Sequence, residues 1–333
     1  MLVQINDLDG TTWILDPLAV DIGPLGTLLS TRSALVHSGA QDLAILWRET
    51  QHTPAAVFDV QVAAGLTGMR HPMRLNDIVA TVLDEPMDKS ETLSDWSKRP
   101  LTNKQLSYAA RDVEYLGNLA EVLKGQLQEL GRSSWIEEEC HLLNESAKQP
   151  SRTVHSWVNW DIAPRLDAHT QRILGCLFEW RNQKGRDKNQ PANFMLSDGL
   201  ALDIARRQPH SLGDLAANRR IPQGLIRRLG AEIVAVVRHV NEHKIDLPLV
   251  PTEVEYRRAK AITLWAETWG LSNKIAPGLL LSTGLAHQVA RHGTQALTGW
   301  RAETIAEPLQ QFLDGKTLLG MGENGSHLVP TSA

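Results

Sequence analysis

Tyr108-Ala109-Ala110-Arg111-Asp112 decides how this chain is read. On a helix, a tyrosine four residues before an aspartate sets phenol and carboxylate on one face, a turn apart, so that one can orient a water molecule while the other holds a metal ion. Such spacing arises by chance on many amphipathic helices, and its weight comes from its surroundings. Upstream lie His37-Ser-Gly-Ala-Gln-Asp42-Leu43 and Phe58-Asp59, followed by Asp88-Lys89-Ser90-Glu91, Asp95-Trp96 and Arg99-Pro100-Leu101. The helix carrying the pair is predicted over residues 102–130, opening on Thr102 as N-cap and closing at Gly131, which can take the left-handed conformation.

Outward from that helix, the chain begins with two β-prone runs, Leu2 to Ile5 and Thr11 to Leu15, joined through Asp9-Gly10, a hairpin signal. Asp16-Pro17 stops the second strand, a helix is predicted over 22–30, and Leu35-Val36-His37 reads as a strand with Asp42 in the helix after it. Beyond Phe58-Asp59 the pattern is helical almost continuously. Strands first and helices later predict an α/β domain, a mixed sheet flanked by helices, over 1–143. The polar stretch from Asn144 to Arg152 reads as the start of a linker, 144–164. From Leu166 onward the pattern is all-α: Leu166, Ile173, Leu174, Leu177 and Trp180 form a stripe, and a helical domain is expected over 165–245. Leu264-Trp265, Pro277-Gly-Leu-Leu280, Val289-Ala290 and Trp300 repeat its general layout, predicting a second, diverged copy over 246–319. The tail 320–333, rich in Gly, Ser and Pro, is expected to be disordered.

Composition narrows the class. An apolar content of 42% and a charged content of 22% are ordinary for a globular protein. No apolar run approaches the roughly 20 residues a membrane span needs, and the N-terminus lacks a signal-peptide layout, so a cytoplasmic protein is expected. Cys140 and Cys176 lie in separate predicted helices without metal-ligand spacing and read as reduced, structural thiols. The net charge of −4 conceals a division: residues 1–150 hold 12 Lys+Arg against 21 Asp+Glu, whereas residues 165–245 hold 14 against 8. An acidic module could hold divalent metals while a basic one meets a polyanion, although two solvated faces account for the charges equally well.

Taken in order, the segments around Asp42, Phe58-Asp59, Asp95-Trp96, Arg99 and Tyr108/Asp112 closely resemble the ribonuclease D family of 3′-to-5′ exoribonucleases, of the type with a tyrosine in the third exonuclease motif. The order Trp180-Arg181, Pro191-Ala-Asn-Phe194 and Pro209-His-Ser-Leu212 resembles the helicase-and-ribonuclease-D C-terminal (HRDC) domain, a helical nucleic-acid-binding module that ribonuclease D proteins carry twice. The resemblance implies a ribonuclease H-like exonuclease domain followed by all-α domains, hydrolysis with two Mg²⁺ or Mn²⁺ ions, and a substrate that is the 3′ end of structured RNA, notably tRNA precursors. It implies Asp42 and Asp112 as metal ligands and Tyr108 as the residue orienting the water. The family's first Asp-x-Glu strand has no match, because Met1 stands directly before Leu2-Val-Gln-Ile5; a strand, a connection and part of a helix, roughly 40 residues at usual element sizes, are expected to be missing.

Asp7 and Asp9 are spaced like the missing pair but fall in the predicted hairpin turn, where aspartate serves local hydrogen bonding. Asp59 reads as a holder of the site loop or as a cap of the next helix, His37 as a packed histidine, and Trp96 as a core anchor. Lys89 and Arg99 read equally as phosphate contacts and as ion-pair partners. Arg206-Arg207, Arg219-Arg220 and Arg227-Arg228 are candidate RNA-backbone contacts, each pair placing at most one guanidinium on a given helix face; Phe194 and Trp180 are candidate stacking residues, Trp180 within the apolar stripe. Two function classes follow: an active exoribonuclease whose longer chain restores Asp-x-Glu, or a catalytically inactive RNA-binding relative. Nothing identifiable reads a 2′-hydroxyl, so DNA stays open as a substrate. A monomer is expected.

Overall fold

Asp9-Gly10 turns the chain between β1 (Val3–Asn6) and β2 (Thr12–Leu15), which pair antiparallel from Val3↔Leu15 to Asn6↔Thr12. Gly10 sits at φ +101°, open to glycine, and Asp7 Oδ1 accepts the N–H groups of Asp9 and Thr11, each at 3.0 Å, so this aspartate is consumed by the turn. The computed structural model describes residues 2–7, 9–86, 94–96, 98–149, 156–242, 249–321 and 328–332. Two units result: Met1–Pro150 with Lys260–Ala333, and Ser151–Ala259.

In the first unit α1 (Gly23–Leu29) leads to β3 (Ser33–Val36), α2 (Ala40–Thr50), β4 (Ala56–Asp59), α3 (Val60–Leu66) and α4 (Leu75–Val82). β3 and β4 pair in parallel, Ser33↔Ala56 to Val36↔Asp59, as the intervening helix allows. The single mixed sheet expected from the sequence is instead two separate ladders among the described residues. What joins the β1–β2 hairpin to the rest is α5 (Asn103–Glu114), which packs across both of its strands.

The helix expected over 102–130 divides at Tyr115 into α5 and α6 (Leu116–Glu129). The two halves serve different partners: α5 lies on the hairpin, whereas α6 buries Leu116, Leu119, Leu123 and Leu127 against α3, β3 and α4. Gly131, at φ +67°, ends the run as expected. Then α7 (Ser133–Ala147) packs on α2 and β4 and overruns the expected linker start: Asn144 is buried with Nδ2 donating to the Pro54 carbonyl at 2.9 Å, and Ala147 is buried. Further along the same expected linker, Trp157 and Ala163 are fully buried in the second unit's core.

That second unit is built from α8 (Ala168–Asp187), α9 (Ala192–Met195), α10 (Asp198–Arg207), α11 (Leu212–Ala216) and α12 (Gln223–Arg238) around Ile173, Leu177, Phe178, Ile204 and Ile233. Ile173, Leu174 and Leu177 of the predicted stripe are buried, with Leu166 and Trp180 packed at its margin. The layout recurs in α13 (Glu253–Ser272), α14 (Pro277–Leu280), α15 (Thr283–His292) and α16 (Gly299–Leu313): helices of 20, 4 and 10 residues precede the final one each time. Even a packing detail repeats. A Cβ on Gly185 would lie 2.7 Å from the Gln190 carbonyl oxygen, and one on Gly270 would lie 2.8 Å from that of Ile275.

Residues 260–313 pack within the first unit. Trp300 stacks on Trp135 with centroids 4.5 Å apart, its indole N–H donates to Glu139 at 2.7 Å, and Arg301 pairs with the same carboxylate. Gly299 approaches Glu138 too closely for any Cβ and holds φ +54°. The tail expected to be disordered forms an antiparallel ladder between β5 (Thr317–Met321) and β6 (Leu328–Ser332), whose paired backbone groups order a segment that its composition leaves without a core. Among the described residues no helix is long and apolar enough to cross a membrane.

Candidate active site

Asp42 and Asp112 reach one locality from different elements. Asp42 is the third residue of α2, a helix whose N-cap, Gly39, offers no side-chain cap. Asp112 lies one turn after Tyr108 on α5, whose start is fixed by a capping box: Thr102 Oγ1 accepts the Gln105 N–H at 3.2 Å while Gln105 Oε1 accepts the Thr102 N–H at 3.0 Å. The shared neighbour is His37, at the end of β3, whose charge is felt by both carboxylates. Its Nε2 lies 2.9 Å from the Met73 carbonyl oxygen, which can only accept, so the proton sits on Nε2. Gln61 Nε2 donates to the same carbonyl at 3.0 Å, fixing the ring's support.

Burial is the chief cause raising both acids above the ordinary aspartate range, although Asp42 is open to water on one side; the neighbouring Asp59 adds to the rise at Asp42, and His37 opposes it at both. Among the described residues neither carboxylate accepts a hydrogen bond or forms an ion pair. Two carboxylates near one histidine, Asp112 half-buried and Asp42 exposed, are hard oxygen donors of the kind that suits Mg²⁺ or Mn²⁺. Among the described residues no group of three or more His, Cys, Asp or Glu side chains is placed to hold a metal ion.

Tyr108 is held by Trp96, with ring centroids 5.9 Å apart and planes tilted by 49°. Trp96, expected as a core anchor, is half-buried and acts as the wall against which the phenol is set. Arg99 is placed differently from the phosphate reading: it pairs with Asp16, and its Nη1 donates to the carbonyls of Trp96 at 3.0 Å and Lys98 at 2.8 Å. That guanidinium ties the 94–100 segment to the end of β2 and has little left for a substrate. Lys89 lies outside the described residues.

Asp59 performs both functions between which the sequence left it: it caps α3 through the Gln61 N–H and also binds the Ser38-Gly39 turn ahead of α2. Cys140, buried and pushed up to about 12, accepts the Asp59 N–H through Sγ at 3.3 Å; Cys176 is likewise a buried free thiol, raised to about 11. Arg132, which the sequence did not single out, is 8% exposed and donates to three carbonyls. No local pattern announces such bonds, since Lys274 and Asn273 lie over 140 residues downstream.

In the second unit Arg206, Arg207, Arg219, Arg220, Arg227 and Arg228 are all exposed. Arg207 pairs with Asp203 at 3.4 Å, Arg220 lies near that carboxylate, and Arg228 Nε bonds the Gly224 carbonyl at 3.2 Å. Trp180 donates to Glu232 at 3.1 Å and is packed, while Phe194 is 71% exposed.

Family models match in two places: a 3′-5′ exonuclease model over residues 1–128 and an HRDC-domain model over residues 170–237. Ribonuclease D of Desulfotalea psychrophila is 35% identical over 252 residues, covering 74% of this chain and 67% of that protein. Ribonuclease D of Pseudomonas paraeruginosa is 31% identical over 336 residues, covering 94% and 87%. Among solved structures, the Escherichia coli RNase D, described as an exoribonuclease involved in structured RNA processing, superposes with a TM-score of 0.74 at 26% identity over 94% of this chain and 88% of that one.

Proposed function

We infer the reaction from one premise: the chain belongs to the ribonuclease D family of 3′-5′ exoribonucleases, with a ribonuclease H-like exonuclease fold followed by helical HRDC architecture. Its substrate is RNA, and the family uses divalent metal. Beyond that, the substrate we propose is the 3′ end of structured RNA, tRNA precursors in particular, shortened one nucleotide at a time. The observation carrying this reading is that Asp42 and Asp112 both lie near His37 with no hydrogen-bond or ion-pair partner among the described residues, Asp112 one turn after Tyr108 on α5.

Asp42 and Asp112 hold the metal. A bound divalent ion supplies a more acidic water and stabilises negative charge on the departing oxygen. Tyr108, set by Trp96, directs its hydroxyl at the attacking water; as the water oxygen bonds to the terminal phosphorus, the bond from phosphorus to the preceding nucleotide's 3′-oxygen breaks, a nucleoside 5′-monophosphate leaves, and the water's proton passes through solvent to that 3′-oxygen. The exposed arginines of residues 165–245 grip the RNA body, and residues 246–319 form a second HRDC-like copy. Lys89 remains a candidate for the scissile strand's phosphates. The chain acts as a monomer.

A two-ion site needs more carboxylates than these two. The reading of an inactive RNA-binding relative has no support among these relatives. Incubating a 3′-extended tRNA with Mn²⁺ and this chain tests the proposal: stepwise shortening lost in Asp112→Asn and reduced about 100-fold in Tyr108→Phe is expected for loss of a group that positions the nucleophile. Shortening that survives Asp112→Asn unchanged would remove the metal assignment.

A further inference from the structure

We propose that Asp59 is a positioning residue for Asp42, acting through the Ser38-Gly39 turn; this rests on the reading of Asp42 as a metal ligand. The Asp59 carboxylate is 2% exposed and accepts three backbone N–H groups: Ser38 at 3.0 Å and Gln61 at 2.9 Å on Oδ1, and Gly39 at 2.9 Å on Oδ2. A helix cap needs only the bond from Gln61, which a serine or asparagine supplies as well. The other two reach a turn some 20 residues upstream, and they have a reason of their own.

Asp59 pairs with Val36 in the β3–β4 ladder, so its carboxylate lies beside the point where β3 gives way to the turn. Ser38 is held at φ +57°, in the left-handed region that strains a non-glycine residue. Gly39 has no room for a side chain, a Cβ there lying 2.5 Å from Val36 Cγ2. The turn is therefore both strained and crowded, and the two bonds from Ser38 and Gly39 fix the direction in which α2 departs. Asp42 stands three residues further on, in the first turn of that helix. From behind, α7 supports Asp59 through Cys140 Sγ. The carboxylate thus acts on the metal site without facing the metal.

The test is a Mn²⁺ titration of the full chain, following free Mn²⁺ by electron paramagnetic resonance, with melting in chelator to establish that each variant is folded. Asp59→Asn keeps the shape but turns an amide toward a backbone N–H, and is expected to raise the Mn²⁺ dissociation constant about 10-fold or more, the usual cost of losing an outer support of a metal ligand. Gly39→Ala disturbs the same turn while leaving the α3 cap intact, and the same weakening is expected. Ser38→Gly, which adopts φ +57° without strain, is expected to restore affinity in the Asp59→Asn background. A residue that only stabilised the fold would lower the melting temperature or the number of sites and leave the dissociation constant alone. Should Asp42→Asn lose Mn²⁺ while Asp59→Asn and Gly39→Ala bind like the wild type, the positioning role is overturned and the ligand assignment stands. Equal binding by the wild type and Asp42→Asn overturns the ligand assignment, and this inference with it.

Discussion

Arg132 offers the sharpest quantitative test of how the first unit holds together. Its guanidinium donates to the carbonyl of Leu66, at the end of α3, at 2.6 Å, and to those of Lys274 and Asn273, beyond α13, at 2.7 and 2.6 Å. It also lies over the Trp135 ring, 5.2 Å from the centroid. Burial lowers its pKa, yet a guanidinium stays charged at any working pH, so these are charge-assisted bonds in a largely dry place. Arg132→Ala strips three carbonyls of their donor. Each buried acceptor left unpaired costs about 1–3 kcal/mol, and water entering the vacated space recovers part of that, which places the total at about 3–5 kcal/mol. For a unit of this size the melting temperature should fall by roughly 6–20 °C. Differential scanning calorimetry measures the shift, with near-ultraviolet circular dichroism following the Trp135–Trp300 stack. Arg132→Lys keeps the charge but cannot span three acceptors, and should recover only part of the loss. Arg48→Ala, which removes an exposed pair with Glu49, is the control and should move the transition by no more than about 1–2 °C. A melting temperature within 2 °C of wild type for Arg132→Ala would refute the reasoning, because the three carbonyls would then have found other partners at no cost.

Two further outcomes follow from the site and from the basic module. With their pKa values raised in the folded protein, Asp42 and Asp112 bind protons more readily than in the unfolded chain; the stability they contribute is full below the ordinary aspartate value of 3.8 and is lost as pH rises through the folded values. In chelator at pH 7, Asp42→Asn and Asp112→Asn should therefore melt at or above the wild type, whereas Mn²⁺ at 100 times its dissociation constant should add about 2.7 kcal/mol to the wild type and much less to either variant; a lower melting point for both variants in chelator argues against uncompensated charge. Arg206, Arg219 and Arg227, changed singly to Gln, should each leave melting unchanged and reduce the slope of log affinity for RNA against log salt by about 0.7–0.9, with Arg207→Gln giving less because Asp203 already engages it. An unchanged slope in all four would mean the face does not meet phosphates.

What could be read from the sequence was what neighbours in sequence determine. Asp9-Gly10 specified the hairpin, Thr102 the start of α5, and Gly131 the end of α6, because each acts through a bond or a dihedral within a few residues. The resemblance supplied Asp42 and Asp112 as a pair, and the structure sets them around His37, a residue read only as packed. Invisible in advance were the contacts bridging long stretches of chain. The break at Tyr115 has no propensity signal; it follows from α5 and α6 serving different surfaces. Arg99 could have met phosphate as easily as Asp16 until the fold brought a carboxylate 83 residues away beside it.

Residues 246–319, which we propose to be a second, diverged HRDC-like copy, share a backbone plan with residues 165–245. Gly185 and Gly270 are required by the same close approach of a carbonyl, which keeps the return from long helix to short helix alike in both. The charges the two segments carry differ. Residues 165–245 carry 14 basic against 8 acidic residues and expose Arg227-Arg228 on their last helix, whereas residues 246–319 carry 7 against 7. In that second copy the last helix turns Trp300 and Arg301 onto Glu139 and Trp135. A buried indole and a paired guanidinium are poorly placed to serve a polyanion, since withdrawing Arg301 would leave Glu139 without its counter-charge. The charges favour residues 165–245 over 246–319 for the RNA contact we propose, while Trp300 and Arg301 brace α7, the helix that supports Asp59 through Cys140.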